Sequence, residues 1–301
     1  MKTLLEVLQA GTDYLARQGC DEARATMQHL LAHVLHCNRT ALYSRFDRPV
    51  EEAELAPLRE LLKRRAAGEP LQHLLGFTEF FRRDFLTDAR ALIPRPETEE
   101  LVEMVLKKIP DHPVRILDMG TGSGVIGVTL ALELKERAGE VVLADISPQA
   151  LDLALENAMR LGARVSTIQT NLFANIPQEK TDPHAEDADS APEGGKGENG
   201  RNMLFDVIVA NLPYIAEGEK LAPEVMKDPH TALFGGPKGW EIIERFLARA
   251  RDYLNEDGFV ALEIGYDQAS VVTQIMDGYG YNYIEVLKDM SGVSRFPFGY
   301  R

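Results

Sequence analysis

Three glycines alternate with other residues between two apolar runs, and an acid precedes them by two positions. The segment is Asp118-Met-Gly120-Thr121-Gly122-Ser123-Gly124, with Val-Arg-Ile-Leu before it and Val-Ile-Gly-Val after it. Glycine lets the backbone turn tightly and approach a ligand closely, because no Cβ stands in the way. A helix behind such a turn presents free backbone N–H groups. The spacing therefore predicts a cofactor-binding turn between a strand and a helix.

A second acid, Asp145, ends the apolar run Val-Val-Leu-Ala-Asp and is followed by Ile146 and Ser147. A carboxylate at this place can accept hydrogen bonds from two ribose hydroxyls, as in nicotinamide enzymes and methyltransferases. Ser147 is the better cap for the next helix, which leaves Asp145 free for a ligand. Residues 122–127 also satisfy G-x-G-x-x-G, so these two features alone leave the cofactor class open.

A third group, Asn211-Leu212-Pro213-Tyr214, follows the apolar run Phe-Asp-Val-Ile-Val-Ala. The Asn side-chain oxygen and a nearby backbone carbonyl can accept both N–H bonds of a planar amino group. Proline removes a competing donor and stiffens the loop, and tyrosine offers a flat surface for stacking. This set suits holding the planar nitrogen of an amide or an aromatic amine, whose lone pair is delocalised. Catalysis would be mainly positioning, without a strong general base.

Alternating apolar patterns place these motifs after strands. Strands are expected at 114–119, 140–146, 165–171, 205–211, 258–265 and near 281–289. Helices are expected at 97–109, 124–137, 148–161, 238–254 and 267–278. Strands that alternate with helices indicate a mostly parallel α/β sheet that binds ligands at the carboxyl ends of its strands.

The start of the chain follows a different pattern. Apolar residues recur at helical spacing through the first 70 residues, and a helix near 51–66 has acids at its start and bases at its end. Phenylalanines alternating with polar residues over 77–93 indicate a β-hairpin. We expect a helical substrate-docking domain over 1–75, a β-hairpin connector over 76–95 and a catalytic domain over 96–301. Residues 175–203 hold seven acids and three bases but few large apolar residues, so we expect a flexible acidic insertion there.

Composition limits the possible classes of function. The 301 residues are 45% hydrophobic and 27% charged, which is typical of a globular protein. Residues 1–97 hold equal numbers of acids and bases, so the whole net charge of −14 falls on 98–301 and argues against direct nucleic-acid binding. Two cysteines make no disulfide framework, and no segment resembles a signal peptide or membrane span. We therefore expect a cytoplasmic protein. We also expect no metal site, because His29, His33 and Cys37 lack a fourth ligand.

Several runs together resemble one known family over nearly the whole chain. Asp118-x-Gly-x-Gly-x-Gly is similar to motif I of class I S-adenosylmethionine methyltransferases. Asn-Leu-Pro-Tyr resembles the [N/D/S]-P-P-[Y/F/W] signature of amino-methyltransferases. Further runs, PLQHLLGFTEFF, IPRPETE, ADISPQALDLALENAMRLG, DPHTALFGGP and ALEIG, resemble the HemK/PrmC family, the protein-glutamine N5-methyltransferases of peptide-chain release factors. This resemblance implies a Rossmann-like class I methyltransferase domain with a mostly parallel seven-stranded sheet, a small helical N-terminal domain and a β-hairpin connector.

The resemblance also implies roles for individual residues. S-adenosylmethionine would be bound by Asp118, Gly120, Thr121, Gly122, Ser123, Gly124, Asp145, Ile146, Asn171, Leu172 and Asn211, and the product would be S-adenosylhomocysteine. The glutamine would be bound by Asn211, Leu212, Pro213, Tyr214 and Glu97, and Asn211, Pro213 and Tyr214 would be catalytic. The implied partner is a release factor with its Gly-Gly-Gln motif, and we expect a monomer.

Two departures from the family pattern leave alternatives open. Leu212 replaces the usual first proline, giving the form also found in adenine dimethyltransferases of ribosomal RNA, and Asn171 stands where Asp is common. Both residues keep an acceptor oxygen. An adenine-N6 methyltransferase of nucleic acid and a glutamine methyltransferase of a ribosomal protein are the alternatives. A non-catalytic cofactor sensor and a nicotinamide oxidoreductase fit the motifs less well.

Overall fold

A computed structural model describes residues 2–177 and 203–301. The predicted insertion at 175–203 lies almost wholly outside the described residues. Within the described chain, two compact units are present. The first contains the residues up to Ile93 together with Lys220–His230, and the second contains Pro94–Glu219 and Thr231–Arg301. Lys220–His230 thus belongs to the first unit, although the predicted catalytic domain included it.

The first unit is built from short helices around their own apolar core. The helices are α1 (Leu4–Arg17), α2 (Ala23–Val34), α3 (Arg39–Tyr43), α4 (Glu52–Ala66) and α5 (Leu71–Leu75). Thr3 and Glu6 form a capping box that starts α1, because each side chain accepts the other residue's backbone N–H. Gly11 lets α1 approach α2 closely, since a Cβ there would lie 2.3 Å from the sulfur of Met27.

The predicted β-hairpin is present in the same unit. Strands β1 (Phe77–Phe80) and β2 (Arg83–Leu86) pair antiparallel. The side chains of Phe80 and Phe85 are buried, with ring centroids 5.9 Å apart in an edge-to-face arrangement. These aromatic rings therefore form a packed core under the hairpin and offer no stacking platform to a ligand.

The second unit alternates strands and helices. Its helices are α6 (Pro96–Lys108), α7 (Val125–Leu134), α8 (Pro148–Leu161), α10 (Glu241–Ala250) and α11 (Ala269–Gly278), and the short helix α9 (His230–Leu233) lies where the chain returns from the first unit. Its strands are β3 (Val114–Met119), β4 (Ala138–Asp145), β5 (Ser166–Gln169), β6 (Phe205–Ala210), β7 (Ile215–Ala216), β8 (Phe234–Gly236), β9 (Leu254–Leu262), β10 (Tyr283–Lys288) and β11 (Ser294–Tyr300).

Seven of these strands form one sheet in the order β10-β11-β9-β6-β3-β4-β5. Strands β3, β4, β5, β6 and β9 pair in parallel, and β11 runs antiparallel to both of its neighbours. The chain first adds strands on one side of β3 and then continues on the other side with β6. That reversal places a ligand-binding crevice at the carboxyl ends of β3 and β6. The mostly parallel seven-stranded sheet confirms the predicted fold class.

Buried apolar residues cover both faces of the central strands, as expected when helices pack on each side of a parallel sheet. The sequence patterns predicted the central elements best, since strand β3 and helix α8 both have the predicted bounds. The patterns ended the sheet near 281–289 and missed β11, which lies between β9 and β10. No helix in the described ranges is long and apolar enough to cross a bilayer.

Candidate active site

Four neighbouring strands bring three predicted site residues and one further acid, Glu263, together at one edge of the sheet. Strands β4, β3, β6 and β9 lie side by side in that order. Asp145 ends β4, Asp118 lies near the end of β3, Asn211 follows β6 and Glu263 follows β9. Because these strands are parallel, their carboxyl ends meet at the same edge. Residues more than a hundred positions apart in sequence thus share one crevice.

Asp118 holds the glycine loop with one carboxylate oxygen. Its Oδ2 accepts hydrogen bonds from the Thr121 hydroxyl at 2.6 Å and from the Gly127 amide at 2.9 Å. Its Oδ1 is buried and has no hydrogen-bond partner among the described residues. Burial raises the pKa of Asp118 to about 6, although both hydrogen bonds lower it. The second oxygen therefore remains available for a cationic donor, which it would bind only in the ionised state.

The loop itself requires glycine. Gly120, Gly122 and Gly124 all have positive φ angles, of 71°, 56° and 83°. Side chains with a Cβ rarely adopt this conformation, so the three glycines are needed for the backbone path. The carbonyl oxygen of Ser123 accepts a 2.9 Å hydrogen bond from the buried Asn157 amide on α8. The sequence argument did not identify Asn157 as an anchor of this loop.

Asp145 makes more contacts than the sequence indicated. Ser147 does cap α8, since its hydroxyl accepts from the Ala150 amide at 3.2 Å. However, the Asp145 carboxylate also accepts from Gly122 and Ser147 amides, each at 2.9 Å. It therefore links the end of β4 to the glycine loop. The remaining lone pairs of its two carboxylate oxygens could accept hydrogen bonds from ribose hydroxyls. Ile146 is 54% exposed beside it, an apolar surface that is available to a ligand.

The segment after β5 carries the other two predicted cofactor contacts. Asn171 is exposed, and its Oδ1 accepts a 3.4 Å hydrogen bond from Arg245. Leu172 has a φ of 52°, which is unusual for a residue with a Cβ. Its carbonyl oxygen accepts a 2.8 Å hydrogen bond from the Thr170 hydroxyl, which helps to hold this backbone shape. The structure thus places both residues at the predicted strand edge.

The Asn-Leu-Pro-Tyr turn follows β6 and contacts the glycine loop. Leu212 is buried, and its side chain packs against Gly120, where an added Cβ would come within 2.9 Å. The Leu212 side chain is therefore part of the packing between the two loops. The Tyr214 carbonyl accepts a 2.8 Å hydrogen bond from Gln268, a buried residue at the start of α11. Burial and the nearby charge of Glu263 raise the pKa of Tyr214 to about 12, so its hydroxyl stays protonated at neutral pH.

Two residues near Asn211 were not singled out from the sequence. The Nδ2 of Asn211 donates to the Thr98 hydroxyl at 3.2 Å, and that hydroxyl donates to Glu263 Oε2 at 2.7 Å. Thr98 and Glu263 are both buried, whereas Glu97 is partly exposed. The signals were present in the runs IPRPETE and ALEIG, which supported the resemblance without a role for either residue. The predicted substrate residue Glu97 contributes a negative charge near Glu263 and Tyr214.

Comparisons with known proteins agree with this geometry. Residues 6–76 match the PrmC N-terminal domain, and residues 97–183 match the Methyltransferase small domain. A release factor glutamine methyltransferase from Geobacter sulfurreducens is 36% identical over 99% of this chain and 96% of its own length. One from Bacillus cereus is 33% identical over 97% of each chain. The chain belongs to the release factor glutamine methyltransferase family.

Structural similarity extends beyond this family at the level of the fold. A 16S rRNA methyltransferase from T. thermophilus, solved in complex with AdoMet and guanosine, has a TM-score of 0.50 and is 13% identical. The match covers 75% of this chain and 49% of that chain. At this identity the likeness concerns the fold alone, which is that of a class I methyltransferase.

The described residues suit the methyl donor of this family. S-adenosylmethionine carries an ammonium group, and the buried unpaired Oδ1 of Asp118 is an acceptor of the right charge for it. A glycine loop with positive φ angles leaves room for a ligand against the backbone. Within the described ranges, no three His, Cys, Asp or Glu side chains are grouped so as to hold a metal ion. The absence of a metal from the reaction stays a prediction.

Proposed function

We propose that this chain transfers a methyl group from S-adenosylmethionine to the side-chain amide nitrogen of a glutamine in peptide-chain release factors, within their Gly-Gly-Gln motif. Three observations together carry the proposal. Asn211 follows a strand beside the glycine loop, its Nδ2 is held by Thr98, and relatives aligned over nearly the full chain are release factor glutamine methyltransferases. The product is a glutamine methylated on N5, together with S-adenosylhomocysteine.

The bound cofactor supplies an electrophilic methyl group on a sulfonium. The chain has to hold it, and three groups are suited to do so. Asp118 Oδ1 accepts from the ammonium, the backbone of Gly120–Gly124 lies along the amino acid part, and Asp145 accepts from the ribose hydroxyls. Ile146, Asn171 and Leu172 lie at the edge where the adenine would be bound.

The glutamine amide is a poor nucleophile because its nitrogen lone pair is delocalised into the carbonyl. Asn211 Oδ1 and the Leu212 carbonyl accept the two amide N–H bonds and fix the nitrogen, while Pro213 limits motion of the loop. The Tyr214 ring provides an apolar surface for the planar group. Glu97 places a negative charge near that ring. The nitrogen gains the methyl group and releases its proton to solvent, so no strong base is needed.

The substrate is a protein, so part of the chain must recognise surface beyond one glutamine. We assign this docking role to the helical residues 1–75, with the hairpin at 76–95 as connector and 96–301 as the methyltransferase domain. The equal numbers of acids and bases in 1–97 contrast with the acidic remainder. We further propose that the protein acts as a monomer in the cytoplasm, where release factors work.

The test is methyl transfer from labelled S-adenosylmethionine to purified release factor. Label should appear on the glutamine of the Gly-Gly-Gln motif, located by peptide mass spectrometry. A release factor with Asn in place of that glutamine is the matched control, since it keeps the amide but moves it by one methylene. Equal labelling of both substrates would overturn the assignment of the acceptor.

The same assay separates the remaining alternatives. Ribosomal proteins and adenine-containing oligonucleotides are offered at equal concentration beside the release factor. Transfer to either one in preference to the release factor would replace the proposed substrate while keeping methyl transfer. If no acceptor were methylated but S-adenosylhomocysteine raised the melting temperature, the chain would be a cofactor-binding protein without this activity.

A further inference from the structure

We propose that Thr98 and Glu263 are positioning residues that fix which end of the Asn211 side-chain amide faces the substrate. The inference deepens the proposed function, on which it rests for the identity of the substrate amide. It assigns a purpose to two buried polar residues that would act through Asn211.

The fold brings the three residues together from three elements. Ala210 of β6 pairs with Leu262 of β9, so the next residues, Asn211 and Glu263, leave neighbouring strand ends. A backbone hydrogen bond of 3.1 Å from the Glu263 amide to the Ala210 carbonyl continues this pairing. Thr98 comes from the first turn of α6 and is 2% exposed, the same as Glu263. A polar pair so deeply buried requires partners to offset its loss of water.

The hydrogen bonds have a defined direction. An ionised carboxylate can only accept, so the Thr98 hydroxyl donates its one proton to Glu263 Oε2 at 2.7 Å. The Thr98 oxygen then has only acceptor capacity left, and it takes a proton from Asn211 Nδ2 at 3.2 Å. The Asn211 side chain also donates to Glu263 directly, which lowers the pKa of that carboxyl. Both acceptors therefore require the NH₂ end of the Asn211 amide.

Fixing the NH₂ end leaves Oδ1 as the group that Asn211 offers to the glutamine. This orientation is needed because the substrate nitrogen carries two N–H donors and requires acceptors. A flipped Asn211 would present its own N–H bonds to those of the substrate. It would also bring Oδ1 against the Glu263 carboxylate. The buried network thus selects one of two amide orientations of nearly identical shape.

The network depends on the charge of Glu263. Burial raises its pKa to about 7, the hydrogen bond from Thr98 lowers it, the charge of Glu97 on α6 raises it, and Arg295 on β11 lowers it. Tyr214 faces the same cluster but remains neutral in this pH range. Below pH 7, a protonated Glu263 could donate a hydrogen bond and would no longer require the NH₂ end of Asn211. The correct orientation is therefore enforced above about pH 7 and loosened below it.

The kinetic experiment compares Glu263→Gln, Thr98→Val and Thr98→Ser with the wild type in release factor methylation. Glu263→Gln and Thr98→Val should lower kcat by ~10- to 100-fold, the range expected when a reacting group is misplaced. KM for the release factor and Kd for S-adenosylhomocysteine should change less than about threefold, since neither residue binds those ligands. Thr98→Ser keeps the hydroxyl and should restore kcat to within about threefold of wild type.

Thr129→Val is the matched control. Thr129 is fully buried in the same unit, and its hydroxyl has no hydrogen-bond partner among the described residues. Replacing it by valine should leave kcat unchanged. If Thr98→Val and Thr129→Val behaved alike, or if Thr98→Ser failed to rescue, Thr98 would have no positioning role.

A spectroscopic experiment tests the same inference without measuring methyl transfer. The Asn211 side-chain NH₂ signal in ¹⁵N-labelled full-length protein, assigned by its loss in Asn211→Ala, should shift with a midpoint near pH 7. Glu263→Gln should abolish that titration. A flat signal in the wild type would overturn the inference. If the signal titrated but no release factor were methylated, the proposed function would fail while the network stood.

Discussion

Gly235 lies directly behind Pro213, so that a Cβ on Gly235 would come within 2.4 Å of the Pro213 carbonyl oxygen and 2.2 Å of the Gly239 carbonyl oxygen. The parallel pairing of β7 with β8 brings these backbones together, with Ile215 opposite Phe234. Gly235, in the run Phe-Gly-Gly-Pro, therefore supports the Asn-Leu-Pro-Tyr turn from behind. Both contacting groups are backbone carbonyls and not flexible side chains, so the backbone must move if a Cβ is added at Gly235.

Gly235→Ala should consequently shift the turn that carries Asn211 and Tyr214. We expect kcat for release factor methylation to fall by ~10- to 100-fold, because displacements of about 1 Å in a positioned group have this effect. Binding of S-adenosylhomocysteine, measured by calorimetry, should change much less, since the glycine loop follows β3 and supplies none of the atoms nearest to a Cβ on Gly235. Initial rates at saturating cofactor measure the loss.

Gly278→Ala is the control for that substitution. Gly278 ends α11, and a Cβ there would meet no atom within 4 Å. Alanine should be neutral or slightly stabilising at this position, because it restricts the unfolded chain. Wild-type turnover in Gly235→Ala would show that the β7–β8 contact does not hold the turn.

The pH dependence of cofactor binding should follow Asp118. Burial raises the pKa of this carboxyl to about 6, and only the ionised form can attract an ammonium group. Affinity for S-adenosylhomocysteine should thus be constant well above pH 6 and should fall as the pH drops through 6, levelling off at the affinity of the neutral carboxyl. Asp118→Asn should weaken binding at pH 7.5 by ~10- to 100-fold, as expected for loss of one charge-assisted hydrogen bond, and should remove the pH dependence. Calorimetric titrations between pH 5 and 8 provide the test.

Asp152→Asn serves as the control for the loss of one negative charge. Asp152 lies exposed on α8 and is not among the contacts of the glycine loop. Its substitution should leave both the affinity and the pH profile as in the wild type. A wild-type profile without an inflection near pH 6 would contradict the role given to Asp118.

Sequence patterns predicted that Asp118, Asp145 and Asn211 lie at or just after strand ends, and the structure has all three at one edge of the sheet, because the carboxyl ends of parallel strands meet there. Their roles in binding and catalysis stay predictions. Thr98 and Glu263 lie in the runs IPRPETE and ALEIG, but neither run shows their contact with Asn211, which arises from the pairing of β6 with β9 and from burial. The two backbone contacts of Asp145 were missed for the same reason.

Strand β11 shows a second limit of sequence patterns. Its segment Ser294–Tyr300 contains Pro297, which pairs with Val286 inside the sheet. Proline cannot donate a backbone hydrogen bond and is rare in a strand with neighbours on both sides. A pattern-based prediction therefore stops before this segment. The tertiary packing, which buries Phe296 and Phe298 completely, overrides that local preference.

Leu212 should matter for packing as well as for its carbonyl group. Its side chain is 4% exposed and packs against Gly120 within the core of the second unit. Leu212→Ala should lower the free energy of unfolding by ~2–5 kcal/mol, the usual cost of such a cavity. Urea unfolding followed by circular dichroism measures this loss. Met159→Ala is the control, because that side chain is 74% exposed and should contribute less than about 0.5 kcal/mol. Equal losses in both variants would remove Leu212 from the packed interface of the two loops.

Asn211→Ala tests the group that holds the nucleophile. Removing the amide takes away the acceptor for the glutamine N–H, leaves the Thr98 oxygen without its donor and removes one of the two donors to Glu263. We expect kcat to fall by ~100- to 1000-fold, similar to the loss of one preorganised hydrogen-bonding group at a reacting centre. The Kd for S-adenosylhomocysteine should change less than about threefold, because Asp118 and the glycine loop remain. Asn282→Ala, at an exposed position before β10, should keep full turnover. Near-normal kcat in Asn211→Ala would refute its assigned role, whereas loss of cofactor affinity with unchanged kcat would make it a cofactor ligand only.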